Sequence, residues 1–238
     1  MTLESVAIYL ACLKVGAVVV TIADSFAVEE IKVRLQIADV SLVLTQDYLL
    51  WAGKRLPLYA RVKEAYLGCV IVIRTGDADI GLRDQDLVWE TFLSESDQFE
   101  SVTCSPSDYC TILFSSGTTG VPKAIPWTHT TAIKAASDAY LHHDVKEGEC
   151  LCWPTNLGWM MGPWLVFASL INQSSMALYY GTPTTNEFSQ FVGQVEVNML
   201  GLVPSLVSHW RAIDCIRQHD WSKIKVLSST GECSNPED

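Results

Sequence analysis

Short apolar runs alternate with helical repeats along this chain, and that alternation restricts the fold more than any single residue does. Val6, Ile8, Leu10, Leu13 and Val15 stand around a helix over 3–15 that is apolar on most sides, with Gly16 as its natural stop. Residues 18–22 follow as a buried strand. Ile31, Leu35 and Ala38 then recur at helical spacing over 28–38, with Glu29 and Glu30 in the first turn, and 40–45 reads as a second strand. Helix, strand, helix, strand in this rhythm predicts βαβ crossovers and an α/β fold with mainly parallel, helix-covered sheets.

The same rhythm continues to the far end. Residues 69–73 form a strand, and 74–98, with Gly76, Asp77, Asp79, Asp84 and Asp86, read as a solvated surface excursion. Thr128 or Thr130 caps a helix running to about residue 141. Residues 150–154 read as a strand, followed by a helix through Trp164, Phe167, Leu170 and Ile171. Further strands are expected over 176–180, 198–203 and 225–227. Helices between them carry Phe188, Phe191 and Val192 on one side and, after Pro204 at its first position, Leu206, Trp210, Ile213 and Ile216.

One junction has a different composition. Residues 111–114 are β-branched and aromatic enough for a buried strand, and they run into Ser115-Ser116-Gly117-Thr118-Thr119-Gly120-Val121-Pro122-Lys123. The glycines allow backbone N–H groups to turn inward around an anion, the hydroxyls add donors, and Lys123 adds a charge that can reach a phosphate. The Walker pattern does not fit, because Lys123 follows Pro122 and precedes Ala124. A P-loop NTPase is therefore disfavoured. The order Phe-Ser-Ser-Gly-Thr-Thr-Gly-x-Pro-Lys instead resembles the phosphate loop of the adenylate-forming, or AMP-binding, superfamily of acyl-CoA synthetases, luciferases and peptide-synthetase adenylation domains. Ser115 stands where that family usually has Thr, which keeps the hydroxyl, and Ala124 where it usually has Gly.

Other stretches carry the same resemblance. Residues 8–17 and 21–26, ending in Thr21-Ile22-Ala23-Asp24-Ser25-Phe26, are similar to the acetyl-CoA-synthetase-like branch and to plant acyl-activating enzymes described as peroxisomal. Gly158-Trp159-Met160-Met161-Gly162 resembles that branch's acyl-pocket wall, with Asn156 where Asp is common. Ser228-Ser229-Thr230-Gly231-Glu232-Cys233 resembles the family's adenine-side turn.

The resemblance implies part of the large N-terminal domain of an adenylate-forming enzyme over 1–238. It implies ATP, Mg2+ and CoA as cofactor and co-substrates, and a small carboxylic acid as partner. Ser115, Ser116, Gly117, Thr118, Thr119, Gly120 and Lys123 would hold phosphate, with Thr118 and Lys123 stabilising its charge. Trp159, Met160, Met161 and Gly162 would line the acid's pocket, and Gly231, Glu232 and Cys233 would border the adenine. The implied reaction is acyl-adenylate formation followed by thioester formation with CoA. The family's Thr-Glu magnesium motif, ribose-binding aspartate, hinge and C-terminal lysine find no match, so a chain of this extent is expected not to make acyl-CoA by itself. A catalytically silent nucleotide- or partner-binding form and a peptide-synthetase adenylation module are the alternatives.

Composition sets the outer limits. At 238 residues and 49% hydrophobic the chain can bury a sizeable core, in one large domain or two small ones. Lys and Arg number 16 against 27 Asp and Glu, a net charge of −11 that disfavours nucleic-acid and anionic-membrane surfaces. The apolar run 8–23 is broken by Lys14 and Gly16 and is too short for a comfortable membrane span. Without a secretory signal an intracellular, reducing compartment is expected, peroxisomal by resemblance and otherwise cytoplasmic. Cys12, Cys69, Cys110 and Cys215 lie in apolar runs as small core residues, and His142, His143, Cys150 and Cys152 have poor zinc spacing, so no metal site is assigned.

Overall fold

The computed structural model describes residues 1–51, 53–76, 79–115 and 120–235. The chain divides into two compact units, one of residues 11–104 and 109–126, the other of 1–10, 105–108 and 127–238. In chain order the elements are α1 (Leu3–Lys14), β1 (Val19–Val20), α2 (Val28–Ile37), β2 (Val43–Gln46), β3 (Leu49–Trp51), β4 (Lys54–Leu56), α3 (Leu58–Ala65), β5 (Val70–Ile73), β6 (Leu87–Val88), α4 (Trp89–Phe92), β7 (Tyr109–Ser115) and β8 (Lys123–Thr128). They continue as α5 (His129–His142), β9 (Cys150–Cys152), α6 (Met161–Ile171), β10 (Ser175–Ala177), α7 (Asn186–Gln194), β11 (Met199–Leu202), α8 (Pro204–Ala212) and β12 (Val226–Ser229).

The described residues of the unit 11–104 and 109–126 hold two three-stranded sheets and one antiparallel strand pair. β2, β5 and β6 lie side by side and parallel, with Val43 opposite Val70 and Ile71 opposite Leu87. Tyr59 and Val62 of α3 pack on Val70 and Val72 of this sheet. β1, β7 and β8 form a second sheet in which β1 runs parallel to β7, Val19 opposite Thr111 and Val20 opposite Ile112. β8 carries Pro126, which cannot donate to a ladder, and it stands at the edge of its sheet, where the missing donor costs least. β3 and β4 pair antiparallel.

Several boundaries differ from the sequence reading. The second strand starts at Val43, because Asp39 takes φ +49 and Val40 N–H donates to Leu35 O, which uses residues 39–42 to close α2. The excursion over 74–98 is not wholly solvated: Asp86 is only 4% exposed. Its carboxylate accepts from Tyr59 Oη (2.7 Å), Val70 N–H (2.9 Å), Arg83 Nε (2.7 Å) and Arg83 Nη2 (3.0 Å). A charged residue of loop composition thus ties the excursion to β5 and α3, since a buried carboxylate is tolerated only when its lone pairs are filled.

The other unit is built on a four-stranded parallel sheet in the order β10-β9-β11-β12. α6 carries the chain from β9 to β10 on one side, whereas α7 and α8 carry it back past β9 to β11 and β12. Right-handed crossovers therefore put α6 on one face and α7 and α8 on the other. Phe188, Val192, Leu206 and Trp210 of the latter pair bury themselves against Leu200 and Leu202, and the Phe188 and Trp210 rings stack at 5.5 Å. Each such side chain contributes about 1.5–3 kcal/mol on burial. On the opposite face α5 turns Ala132, Ala135, Ala136 and Ala139 inward, and Asn172 after α6 donates to Ala136 O at 2.9 Å. Cys110 and Cys215 are buried as expected, while Cys12 and Cys69 are half-buried.

Candidate functional site

β7 is the buried strand that delivers the Ser/Thr/Gly loop. Cys110, Thr111, Leu113 and Phe114 are buried, and Ser115 ends the strand half-exposed. Ser116, Gly117, Thr118 and Thr119 lie outside the described residues. Gly120 has φ +82, a conformation that favours glycine, and among the described residues nothing lies within 4 Å of where a Cβ would stand. Conformation, and not crowding, demands glycine there. Lys123 opens β8 with its side chain exposed.

Because β1 runs parallel to β7, its carboxyl end lies at the same edge. Thr21 N–H donates to Ile112 O at 3.2 Å, and Phe26 N–H to Ala23 O at 3.1 Å closes a turn before α2. Carboxyl edges of parallel strands are where open α/β sheets bind ligands. Burial raises the Asp24 carboxyl in that turn above its ordinary value.

Arg34 of α2 reaches the same edge. Its Cζ lies 3.9 Å from the Phe26 ring centroid and 5.7 Å from that of Phe114. Burial pulls the guanidinium below the ordinary arginine value, against the nearby Glu30, although arginine stays charged. The sequence reading passed over Arg34, yet a signal was present: Ile31, Arg34, Leu35 and Ala38 follow the i, i+3, i+4, i+7 pattern of a buried helical stripe.

In the unit of 127–238, strand order reverses between β9 and β11, so the chain leaves their carboxyl ends toward opposite faces of the sheet, the kind of switch point at which open parallel sheets bind ligands. The loop after β9 carries Trp153 and the Gly-Trp segment. Asn156 Oδ1 accepts from Gly158 N–H at 2.9 Å and Asn156 O from Trp159 N–H at 3.2 Å. The side-chain bond is one an Asp could also accept, so the Asn for Asp exchange keeps the turn. Gly162 N–H donates to Trp159 O at 2.9 Å, and a Cβ on Gly162 would collide with Asn156 O. Trp159 and Met160 are 48% and 53% exposed, Met161 is half-buried at the head of α6, and Gly162 is buried.

Trp153 itself turns back over the sheet, where a Cβ on Gly201 of β11 would strike its ring. Trp164 meets it edge-on at 5.8 Å and also meets His143 at 5.1 Å. His143 Nε2 shares a hydrogen bond with Ser228 Oγ at 3.0 Å, so this aromatic layer ends on β12.

β12 leads into the last predicted turn. Thr230 N–H donates to Leu202 O at 3.2 Å, and Gly231 takes φ +92 with Val203 Cγ1 3.5 Å from a would-be Cβ. Glu232 Oε2 accepts from Ser205 N–H at 3.0 Å and Oε1 from Ser205 Oγ at 3.1 Å. The carboxylate therefore fills orphan donors at the N-terminus of α8, just after Pro204. Cys233 is exposed. Ser205 was not legible as a partner, being 27 residues away. The candidate residues thus divide by unit: Ser115, Gly120 and Lys123 in one, Trp159 to Gly162 and Gly231 to Cys233 in the other.

Among the described residues no three His, Cys, Asp or Glu side chains are grouped to hold a metal ion. Cys152, buried in the core, has its thiol pushed up to about 12, far from the thiolate that zinc requires. No helix of the described residues is long and apolar enough to cross a membrane.

Comparison with known proteins gives consistent matches. The family profile described as AMP-binding enzyme matches residues 1–238. Hexanoyl-CoA synthase of Cannabis sativa is 49% identical over 99% of this chain and 34% of its own length. Probable acyl-activating enzyme 17, peroxisomal, of Arabidopsis thaliana is 47% identical over 99% of this chain and 34% of its own. Among solved structures, acetoacetyl-CoA synthetase from Streptomyces lividans matches with a TM-score of 0.87 at 26% identity, over 99% of this chain and 38% of that one. The chain spans about a third of the length of the two plant relatives, 34% in each case.

Proposed function

Because the chain belongs to the AMP-binding enzyme family, we propose that it supplies part of the nucleotide and acid sites of an ATP-dependent acid–thiol ligase. Residues 115–123 hold the β- and γ-phosphates of ATP, with Thr118 and Lys123 stabilising their charge. Gly231, Glu232 and Cys233 border the adenine, and Trp159, Met160, Met161 and Gly162 line the pocket of an apolar carboxylic acid. The observation that carries this reading is the way β7 ends: a parallel strand opens at its carboxyl edge into a loop whose Gly120 has φ +82 and free space beside it, and which closes on the exposed Lys123.

In the reaction a carboxylate oxygen attacks the α-phosphorus, the bond from that phosphorus to the bridging oxygen breaks, and pyrophosphate leaves with the electron pair. The CoA thiol, losing its proton, then attacks the acyl carbon and AMP leaves. Little covalent work falls to the protein in the first step. Its residues position the phosphates and neutralise the charge that grows on the leaving pyrophosphate, as backbone N–H groups, hydroxyls and an ammonium can. Mg2+ fits as an ion carried mainly by the substrate's phosphates, a usual arrangement for this cation.

The Cannabis relative is named for a six-carbon acid, and two methionines at the Gly-Trp segment suit an aliphatic chain. The Arabidopsis relative is named as peroxisomal, and the same compartment is proposed here, to be checked by imaging a tagged chain. The reading itself is tested by titrating the purified chain with ATP and with adenosine. ATP should bind more tightly, and Lys123→Ala should remove the difference; equal affinities in the unaltered chain would refute it.

A further inference from the structure

Three consecutive residues of the turn after β12 are fastened to one short stretch of chain. Thr230 N–H donates to Leu202 O at 3.2 Å, Gly231 has Val203 Cγ1 3.5 Å from the place of a Cβ, and Glu232 meets Ser205. That stretch is where β11 ends and α8 begins with Pro204. The first contact extends the pairing of β11 with β12, in which Leu202 stands opposite Ser229, so the sheet accounts for it. The third depends on side chains: Glu232 sends its carboxylate across to the first turn of α8.

Both donors of Ser205 go to that carboxylate, the backbone N–H to Oε2 at 3.0 Å and the hydroxyl to Oε1 at 3.1 Å. Ser205 is the second residue of α8, so its N–H is one that a helix leaves without an intrahelical acceptor. Pro204 ahead of it has no N–H, which makes Ser205 the first residue of α8 able to donate from its backbone. A bond at two points fixes direction as well as distance, and the Glu232 backbone is held through its own side chain. We infer that Ser205 is a positioning residue for the nucleobase: it ties Glu232 to α8 and so sets the backbone of 230–232 in the pose that borders the base. Glu232 orients the turn and does not read the base's 6-amino group, because both its oxygens are drawn to Ser205. This rests on the adenine reading of 231–233 given above, and it gives a residue outside that turn a part in nucleotide binding.

The test titrates the whole chain with adenosine, with purine riboside, which lacks the 6-amino group, and with tripolyphosphate. Ser205 is exposed, so its variants should fold, and thermal midpoints check this. Ser205→Ala should weaken adenosine about fivefold, the scale of a lost helix-capping bond, and leave tripolyphosphate within about twofold. Ser205→Thr keeps both donors and should hold adenosine within about twofold of the unaltered chain. Glu232→Ala should weaken adenosine and purine riboside by the same factor, whereas a carboxylate bonded to the amino group would lose adenosine selectively. Unchanged adenosine affinity in Ser205→Ala overturns the inference. So does an equal loss of adenosine and tripolyphosphate, an equal loss in Ser205→Thr, or a selective loss of adenosine in Glu232→Ala. Gly231→Val separates the two levels: if it weakens adenosine while Ser205→Ala does not, only the role of Ser205 fails. If the unaltered chain binds tripolyphosphate but not adenosine, the adenine reading of 231–233 fails and takes this inference with it.

Discussion

The indole of Trp153 occupies the space that a side chain on Gly201 would need. Trp153 lies just past the end of β9 and Gly201 within β11, so the absence of one Cβ lets the loop after β9 fold down across its neighbour strand and seat the aromatic layer that reaches Ser228. Gly201→Ala must displace the ring, and overpacking of this kind typically costs about 1–3 kcal/mol. Denaturant unfolding followed by near-ultraviolet circular dichroism should show this loss together with a changed tryptophan signal. Adding Trp153→Ala should make the second change less costly than it is alone, because the two positions share one volume.

A second expectation concerns Glu232. Its carboxylate fills the Ser205 donors at the start of α8 while its backbone continues the Gly231 turn, so one side chain joins the helix to the turn proposed to border the adenine. Glu232→Ala should cost about 0.5–1 kcal/mol, as the loss of an exposed helix cap does, and should weaken adenosine binding. Amide exchange at Ser205 should quicken in the variant. Unaltered exchange there would disprove the link.

Acid should act on the other unit through Asp86. Burial alone would raise its carboxyl, but the donations from Arg83, Tyr59 and Val70 N–H outweigh it and hold the group below the ordinary aspartate value. A carboxyl depressed in the folded state stabilises fully above its unfolded value of about 3.9 and loses that contribution as pH falls through the lower folded value. Protection of the Val70 amide, its exchange measured against the intrinsic rate at the same pH, should therefore fall on acidification below about pH 4 in the unaltered chain. Asp86→Asn should show a flatter acid response, and Asp86→Ala, which strands the Arg83 charge, should cost about 3–5 kcal/mol.

Much of the architecture was legible because it rests on local periodicity. The α/β alternation, the strand ahead of Ser115, the cap at Thr128 and Pro204 at the head of α8 were all read from residue order and are found in the fold. Three kinds of feature escaped. The hairpin of β3 and β4 and the short helix α3 were missed because each is too brief to establish a period. β8 was hidden by Pro126, which argues against a strand unless its place at the edge is known. Asp86, Arg34 and the Glu232 to Ser205 bond were missed because charged side chains look solvated until distant partners are placed beside them. Gly120 and Lys123 are candidates that residue order alone offers, whereas the packing of Arg34 became visible only with Phe26 and Phe114 in place.

Removal of the loop's charge or of its free backbone should slow adenylation. In a chimera joining this chain to the remaining length of the Cannabis relative, Lys123→Ala should lower acid-dependent ATP–pyrophosphate exchange by about 10²–10³, the usual effect of losing about 2.7–4 kcal/mol of oxyanion stabilisation. Gly120→Val should act similarly, because φ +82 is strained for a β-branched residue and the loop must shift. Both variants should fold as the parent does by circular dichroism. Normal exchange rates in folded variants would remove Lys123 and Gly120 from the chemistry.

The central claim is that residues 115–123 carry the polyphosphate of ATP, and a crystal structure of the chain with a non-hydrolysable ATP analogue tests it most directly. The account predicts β- and γ-phosphate oxygens within hydrogen-bond distance of the Gly120 N–H and the Lys123 ammonium. A triphosphate bound away from the carboxyl edge of β7, with 115–123 making no contact to it, would contradict the account.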